Sequence, residues 1–287
     1  MSLAARPVII IGAPRSGTNM LRDVLVHLPG VATWPADEIN YIWRHGNLRY
    51  PSDAFGVSMA RPRVRRYIRA RFDRVARRYG ASTVVEKTCA NSLRVPFVDA
   101  VVPEARYLFI RRNGFDAIGS AMERWKAPLD VPYLARKARF VPLTDLPYYG
   151  GRYLWHRGYR LFSPERRLAS WGPRLDGMPE LLARHPLDEI CALQWRQCLE
   201  AAHGALETMA AHRWMEIVYE DFVRDPEAEL ARITAFLDLD VSGENRAEAV
   251  VGVRADSIGK GRDRLDTEAR QRLEPLLGNT LQRFGYA

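Results

Sequence analysis

The feature that most constrains this chain is an apolar run that stops at a glycine and reopens, six residues later, as a helical pattern. Val8-Ile-Ile-Ile11 is a short β-branched run without charge, which predicts a parallel strand buried on both faces. Met20, Leu21, Val24, Leu25 and Leu28 then recur at helical spacing. Between them, Gly12 and Gly17 permit a tight turn and close backbone approach, so that loop amides and the positive end of a helix dipole converge on an anion. The spacing Gly12-x-x-x-x-Gly17 is half of a Walker A motif, but Thr18-Asn19 stands where Lys-Ser/Thr should be. A nucleoside-triphosphate enzyme needs that lysine on the β/γ-phosphates and that hydroxyl on Mg²⁺. Here the cation comes earlier, as Arg15 within the loop.

Strand-like and helical runs alternate along the rest of the chain, which predicts an α/β fold, three-layered around a mostly parallel sheet. Thr83–Lys87, Arg106–Arg111 and Trp214–Tyr219 read as strands. Helical spacing runs through Phe115 to Trp125, Trp195 to Leu206 and Leu273 to Phe284. A further helix carries its own start signals, Asp225 as N-cap and Pro226 at the first helical position. With no repeat or low-complexity linker, residues 1–287 are expected to form one domain with insertions at about 55–80 and 126–180. The first holds Arg61 to Arg78, with nine arginines against one acid, Asp73. It reads as an amphipathic surface helix with Tyr67, Ile68, Phe72, Val75 and Ala76 inward, or as a basic face for an anionic acceptor. The second, rich in aromatics from Tyr133 and Phe140 to Trp171, is expected to supply a lid over an acceptor site.

The net charge of +9 points to polyanionic partners without choosing among them. Cys89, Cys191 and Cys198 are too few for a disulfide framework and have no metal-ligand spacing, so they are expected to be buried thiols. No apolar run approaches a membrane span and no signal-peptide pattern is present, so a cytoplasmic location is expected.

Two further motifs carry chemistry. Arg112 closes a predicted strand and Ser120 lies two turns into the next helix, so both can flank one oxyanion at the carboxyl edge of a parallel sheet, where ligands of such sheets bind. Ser257-Ile-Gly-Lys260-Gly261-Arg262 is a basic, glycine-flexible loop ahead of the last helix. Together with the first loop, these stretches resemble the sulfotransferases that use 3′-phosphoadenosine 5′-phosphosulfate (PAPS). Arg15-Ser16-Gly17-Thr18-Asn19 resembles their 5′-phosphosulfate loop. Arg112-Asn113-Gly114-Phe115-Asp116, followed by Ser120, is similar to their 3′-phosphate site, with Gly114 replacing the usual proline. Lys260-Gly261-Arg262 resembles their late Lys-Gly-Arg loop, and Tyr219-Glu-Asp-Phe-Val-Arg-Asp-Pro226 resembles a further family stretch. The resemblance runs in order from Pro7 to Gly285.

The resemblance implies sulfuryl transfer from PAPS to a hydroxyl or amine of a glycan, glycolipid or small metabolite, without a metal. Cations aimed at the oxygen bridging to the 5′-phosphate would do most of the work. Arg15 is one; Lys87, in Glu86-Lys87-Thr88, resembles the lysine of the Glu-Lys-Ser/Thr stretch in heparan-type sulfotransferases. Glycan sulfotransferases place a glutamate base about two dozen residues after the loop arginine, a position that matches Glu38, with Asp37 beside it. An apolar setting of Trp34, Tyr41 and Trp43 is expected to raise its pKa. His45 and His156 are the alternatives by analogy with aryl and steroid sulfotransferases. Two other readings remain open at this point: a P-loop nucleotide kinase or hydrolase, and a non-enzymatic arginine-rich polyanion binder. No nucleic-acid partner is expected on the first reading.

Overall fold

The computed structural model describes residues 3–127, 141–151, 154, 158 and 171–286. Strand β1 (Arg6–Ile11) lies at the centre of a five-stranded sheet of order β2-β3-β1-β4-β5. Its neighbours are β2 (Val31–Ala32), β3 (Thr83–Lys87), β4 (Arg106–Arg111) and β5 (Trp214–Val218), and every pairing is parallel. Because side chains alternate along a strand, β1 supplies both layers of core. Val8 and Ile10 pack with α1 (Thr18–Val26) and with the helices Pro226–Phe236 and Gly243–Val250. Ile9 and Ile11 join the larger cluster on the other face. That cluster includes α2 (Asn40–Trp43), α3 (Pro62–Tyr79), α4 (Val95–Val101) and α5 (Gly114–Lys126), together with Leu187–Leu206 and Thr267–Arg283. The result is the three-layered α/β architecture that the alternation predicts.

The register sets where the chemistry falls. Ile10 pairs with Lys87 and Ile11 with Phe109, so the residues after β1, β3 and β4 emerge together along one carboxyl edge. The connection from β2 to β3 starts α3 near this edge and returns it to the opposite one, where Gly80 closes the helix at φ 59°. Asp225 caps its helix through Ala228 N, as its position before Pro226 predicts. Tyr219 departs from expectation: β5 ends at Val218, and Tyr219 opens the short helix Tyr219–Arg224. Strand β2, two residues long, has too little periodicity to be seen in the sequence.

In α3 the buried stripe is Val64, Ile68, Phe72, Val75 and Ala76, with Tyr67 half-buried at its margin. Val64 extends the stripe by one turn at i−4 from Ile68. Cys89, Cys191 and Cys198 are all buried free thiols. No helix among the described residues is long and apolar enough to cross a membrane.

Candidate active site

The loop after β1 is held open by its surroundings. Ser92 Oγ donates to the Gly12 carbonyl at 3.0 Å and accepts from its amide at 3.1 Å. A Cβ at Gly12 would stand 2.6 Å from the Ile110 carbonyl, so only glycine allows β1 and β4 to approach here. Gly17 has φ 89°, and a Cβ would lie 2.3 Å from the Tyr219 ring. Arg15 also takes a left-handed conformation, φ 67°, which aims its guanidinium across the edge toward α5. No side chain caps the first turn of α1, leaving that helix end available to an anion. Ser16 is fully buried, and among the described residues its Oγ has no partner.

Arg112 and Ser120 lie on one edge, as their spacing predicts, and Arg15 joins them, which the spacing does not predict. Arg15 Nε donates to Ser120 Oγ at 2.9 Å, and Arg112 donates to the Arg15 carbonyl at 3.2 Å and to that of Ser257. Arg112 is buried, its guanidinium lies 4.4 Å from the Tyr219 ring centroid, and among the described residues its Nε has no partner. Burial, and then repulsion from Arg124 and Arg112, draw the Arg15 pKa below its ordinary value. Within this cation cluster Arg112 also faces Asp116 at 3.7 Å.

Two residues that the motif reading left without a role organise this cluster. Asp116, on α5, accepts from the amides of Gly259 at 2.8 Å and of Gly261 and Arg262 at 3.0 Å. One carboxylate thereby pins the late loop against α5. The fit is tight enough that a Cβ on Gly119 would be 1.9 Å from the Gly261 carbonyl. Tyr219 packs on Gly17 and Arg112 and bonds Ser257 through its hydroxyl, tying all three motifs together. Lys260 instead pairs with Asp256 at 2.8 Å, exposed to solvent, and Arg262 is also exposed. The only sequence signal for either organiser is its place in a motif: Asp116 four residues after Arg112, Tyr219 directly after a strand.

Lys87 ends β3, buried, with its ammonium 3.2 Å from Glu38 Oε1. The Cys89 amide donates to the same oxygen at 3.3 Å. Burial opposes the charge on Lys87, but the attractions of Glu38, Cys89 and Asp37 together outweigh it and the net direction is upward. The lysine is a fixed cation. The setting of Glu38 is thus polar where the sequence points to an apolar one. Trp34 and Trp43 turn into the core, edge-on to Phe72 at 4.9 and 6.2 Å. Asp37 bonds Arg22 at 2.7 Å and Asn19 at 3.3 Å; burial raises its pKa, but the Lys87 and Arg22 charges hold it below the usual value. Asp37 is thus committed to Arg22 and Asn19.

Behind Lys87, Glu86 is wholly buried and accepts from Thr88 at 2.6 Å and Asn91 at 2.8 Å. Thr88 Oγ1 in turn accepts the Ile39 amide at 3.2 Å, linking the end of β3 to the loop that carries Glu38. Burial pushes the Glu86 carboxyl up to about 7 despite these bonds and the nearby charge of Arg94.

His45 bonds Asp145 at 2.9 Å and stacks on Tyr67 with ring centroids 3.9 Å apart. It lines a groove of about 690 Å³ bordered by Asn47, Arg49, Tyr50, Arg61 and Arg63. Of the expected lid, Tyr149 packs against the core and Trp171 lies 6.4 Å from Trp125. Tyr133, Phe140, Tyr153, Trp155, Tyr159 and Phe162 lie outside the described residues, as does His156.

The sequence profile described as "Sulfotransferase family" matches residues 7–169 and 174–243. No curated protein matches the chain. Solved structures share its fold at low identity. Sulfotransferase STF9 from Mycobacterium avium superposes with TM-score 0.55 and 15% identity, over 98% of this chain and 77% of that one. Mouse sulfotransferase SULT7A1, complexed with PAP, gives 0.51 and 14%, over 96% and 85%. A sulfotransferase from Alicyclobacillus acidocaldarius gives 0.50 and 19%, over 97% and 94%. With a profile match across most of its length and a phosphate-type loop, an Arg/Ser pair and a late basic loop gathered on one sheet edge, the chain belongs to the sulfotransferase family.

Proposed function

We propose that this sulfotransferase uses PAPS as its donor and a hydroxyl or amine as its acceptor. The observation that carries the reading is the edge formed by Arg15, Arg112 and Ser120, in which Arg112 is buried, Arg15 is exposed but oriented by Ser120, and, among the described residues, Ser16 Oγ and Arg112 Nε have no partner. Those are the groups that a doubly phosphorylated nucleotide would satisfy. When bound, PAPS supplies an activated sulfuryl group and leaves as adenosine 3′,5′-bisphosphate. On this reading Arg15, Ser16 and the first turn of α1, with Gly17, Thr18 and Asn19, hold the 5′ end. Arg112 and Ser120 hold the 3′-phosphate, with the Gly261 loop closing beside them; Lys260 and Arg262 are the weaker assignments, because both reach into solvent.

Lys87 and Glu38 form a cation and a proton acceptor in one pair. Lys87 keeps its proton and faces developing negative charge, while Glu38 takes the acceptor's proton. Asp37 is held by Arg22 and His45 by Asp145, whereas Glu38 shares Lys87, so among the described candidates the base role is assigned to Glu38. Charge-assisted bonds of this type contribute about 1.5–3 kcal/mol each, so the loss of one costs tenfold or more in rate. The test is ligand stabilisation: adenosine 3′,5′-bisphosphate should raise the melting temperature clearly more than ATP or 5′-AMP, and Arg112→Ala should remove the preference over 5′-AMP. Equal shifts with all three nucleotides would overturn the assignment of the 3′-phosphate site.

A further inference from the structure

The function above makes no use of α3. Its inward stripe is fully committed to the core, so the fold asks of the outer face only that it be polar. That face nevertheless carries Arg63, Arg65, Arg66, Arg74, Arg77 and Arg78, all exposed. Among the described residues none of the six has an acidic partner, whereas their neighbour Arg69 is paired with Glu104. The arrangement is unfavourable in isolation. The first turn contains no acid, so Arg63 sits against the positive end of the helix dipole. Arg63 with Arg66, and Arg74 with Arg77 and Arg78, are like charges at i,i+3 and i,i+4 spacing.

Exposed apolar side chains gather on the same side. Of the seven large apolar residues exposed among the described residues, five flank α3 or its groove: Tyr50, Val57, Tyr79, Leu143 and Leu146. Tyr50 lines the groove with Arg61 and Arg63, and Val57 lies in the turn just ahead of the helix. Tyr79 ends the helix, and Leu143, 83% exposed, and Leu146 flank Asp145, which closes the groove through His45. A linear polyanion would be recognised by the cations and would leave the leucines in water. A surface that is anionic outside and apolar just beneath engages both.

We propose that the outer face of α3 and the adjoining groove mouth dock this protein on an anionic lipid bilayer. Because the first turn of α3 lies toward the carboxyl edge of the sheet, docking would bring the groove to the lipid surface. The proposal does not depend on the identity of the sulfuryl donor.

Co-sedimentation with phosphatidylcholine vesicles, with and without phosphatidylserine, tests it. In about 0.1 M salt, partitioning onto the phosphatidylserine vesicles should be at least about tenfold stronger and should collapse near 1 M salt. Arg65→Glu/Arg66→Glu/Arg74→Glu should abolish it while leaving a cooperative thermal melt and the far-UV circular dichroism spectrum of wild type, which establishes that the variant is folded. Leu143→Asp/Leu146→Asp should weaken it severalfold and serves as the second variant if the arginine triple does not fold. Equal binding to both vesicle types, or wild-type binding by either variant, overturns the proposal. Retention on heparin or duplex DNA without binding to phosphatidylserine vesicles overturns it in favour of a linear polyanion.

Discussion

The edge carrying Arg15 and Arg112 and the outer face of α3 are both strongly cationic, yet they are built in opposite ways. On the edge, each arginine is positioned by built structure: Ser120, the carbonyls of Arg15 and Ser257, the Tyr219 ring, the Asp116 carboxylate 3.7 Å from Arg112, and glycines at 119 and 261 whose backbones touch. On α3, the arginines project from a helix whose packing is finished without them. Net charge cannot separate the two. What separates them is how much surrounding structure is spent on aiming a charge: the first arrangement suits one ligand in one pose, the second a surface that tolerates many.

The largest expected effect breaks the edge without touching a charge. In Gly261→Ala the new methyl would stand 1.9 Å from the Asp116 carbonyl, and the loop cannot retreat while Asp116 holds its amides. A stability loss above about 3 kcal/mol, or a folded protein that adenosine 3′,5′-bisphosphate no longer stabilises, is expected in thermal melts. Wild-type behaviour in both would dissolve the contrast between the two regions.

Next in size is the pH response of Glu86. Its carboxyl rises from 4.5 to about 7 on folding, so the native state holds that proton longer than the unfolded chain. The associated stability is complete below pH 4.5 and is lost as pH rises through 7, a change on the order of 3 kcal/mol. Urea unfolding of wild type and Glu86→Gln across this range should give a difference that grows with pH; a flat difference would mean that Glu86 is ionised throughout.

Glu38→Gln should lower the rate of PAPS consumption by about 10², or about 2.7 kcal/mol of barrier, with nucleotide affinity within about twofold of wild type. If affinity falls together with rate, Glu38 serves only as the counter-ion of Lys87. The smallest effect sharpens the comparison from the other side: Arg63→Glu replaces a cation at the helix N-terminus and should raise stability by about 0.3–1 kcal/mol in chemical denaturation. A decrease would show that Arg63 is held as firmly as Arg112.

How much of this was legible in the sequence follows the range of the interactions. The loop from Gly12 to Thr18 and the Arg112/Ser120 pair are readable because glycine spacing and helical periodicity act within a few residues. The buried β1 and the three layers follow from the same local grammar. The pairing of Lys87 with Glu38 spans 49 positions and that of His45 with Asp145 spans 100, and neither leaves a periodic trace. The apolar setting expected for Glu38 fails for a related reason: Trp34 and Trp43 are adjacent in sequence but serve the core through Phe72. Asp116 and Tyr219 lie within recognisable stretches, but their roles as organisers depend on the Gly259–Arg262 loop arriving from 143 to 146 residues away.

That last contact bears on how the protein is made. The Asp116 amide bonds and the Arg112–Ser257 bond join segments separated by roughly half the chain, so the closing of this loop is an event of high contact order. Loop-closure entropy must be met before those contacts give any return, which makes such closures late and slow. During synthesis, β1, β3, β4 and α5 can form while the final loop is still absent. The edge around Arg15 and Arg112 matures last, and an intermediate lacking the late loop would display both arginines without their clamp. A refolding experiment followed by intrinsic fluorescence and by nucleotide binding should therefore show two separable phases, with binding competence trailing the burial of the tryptophans.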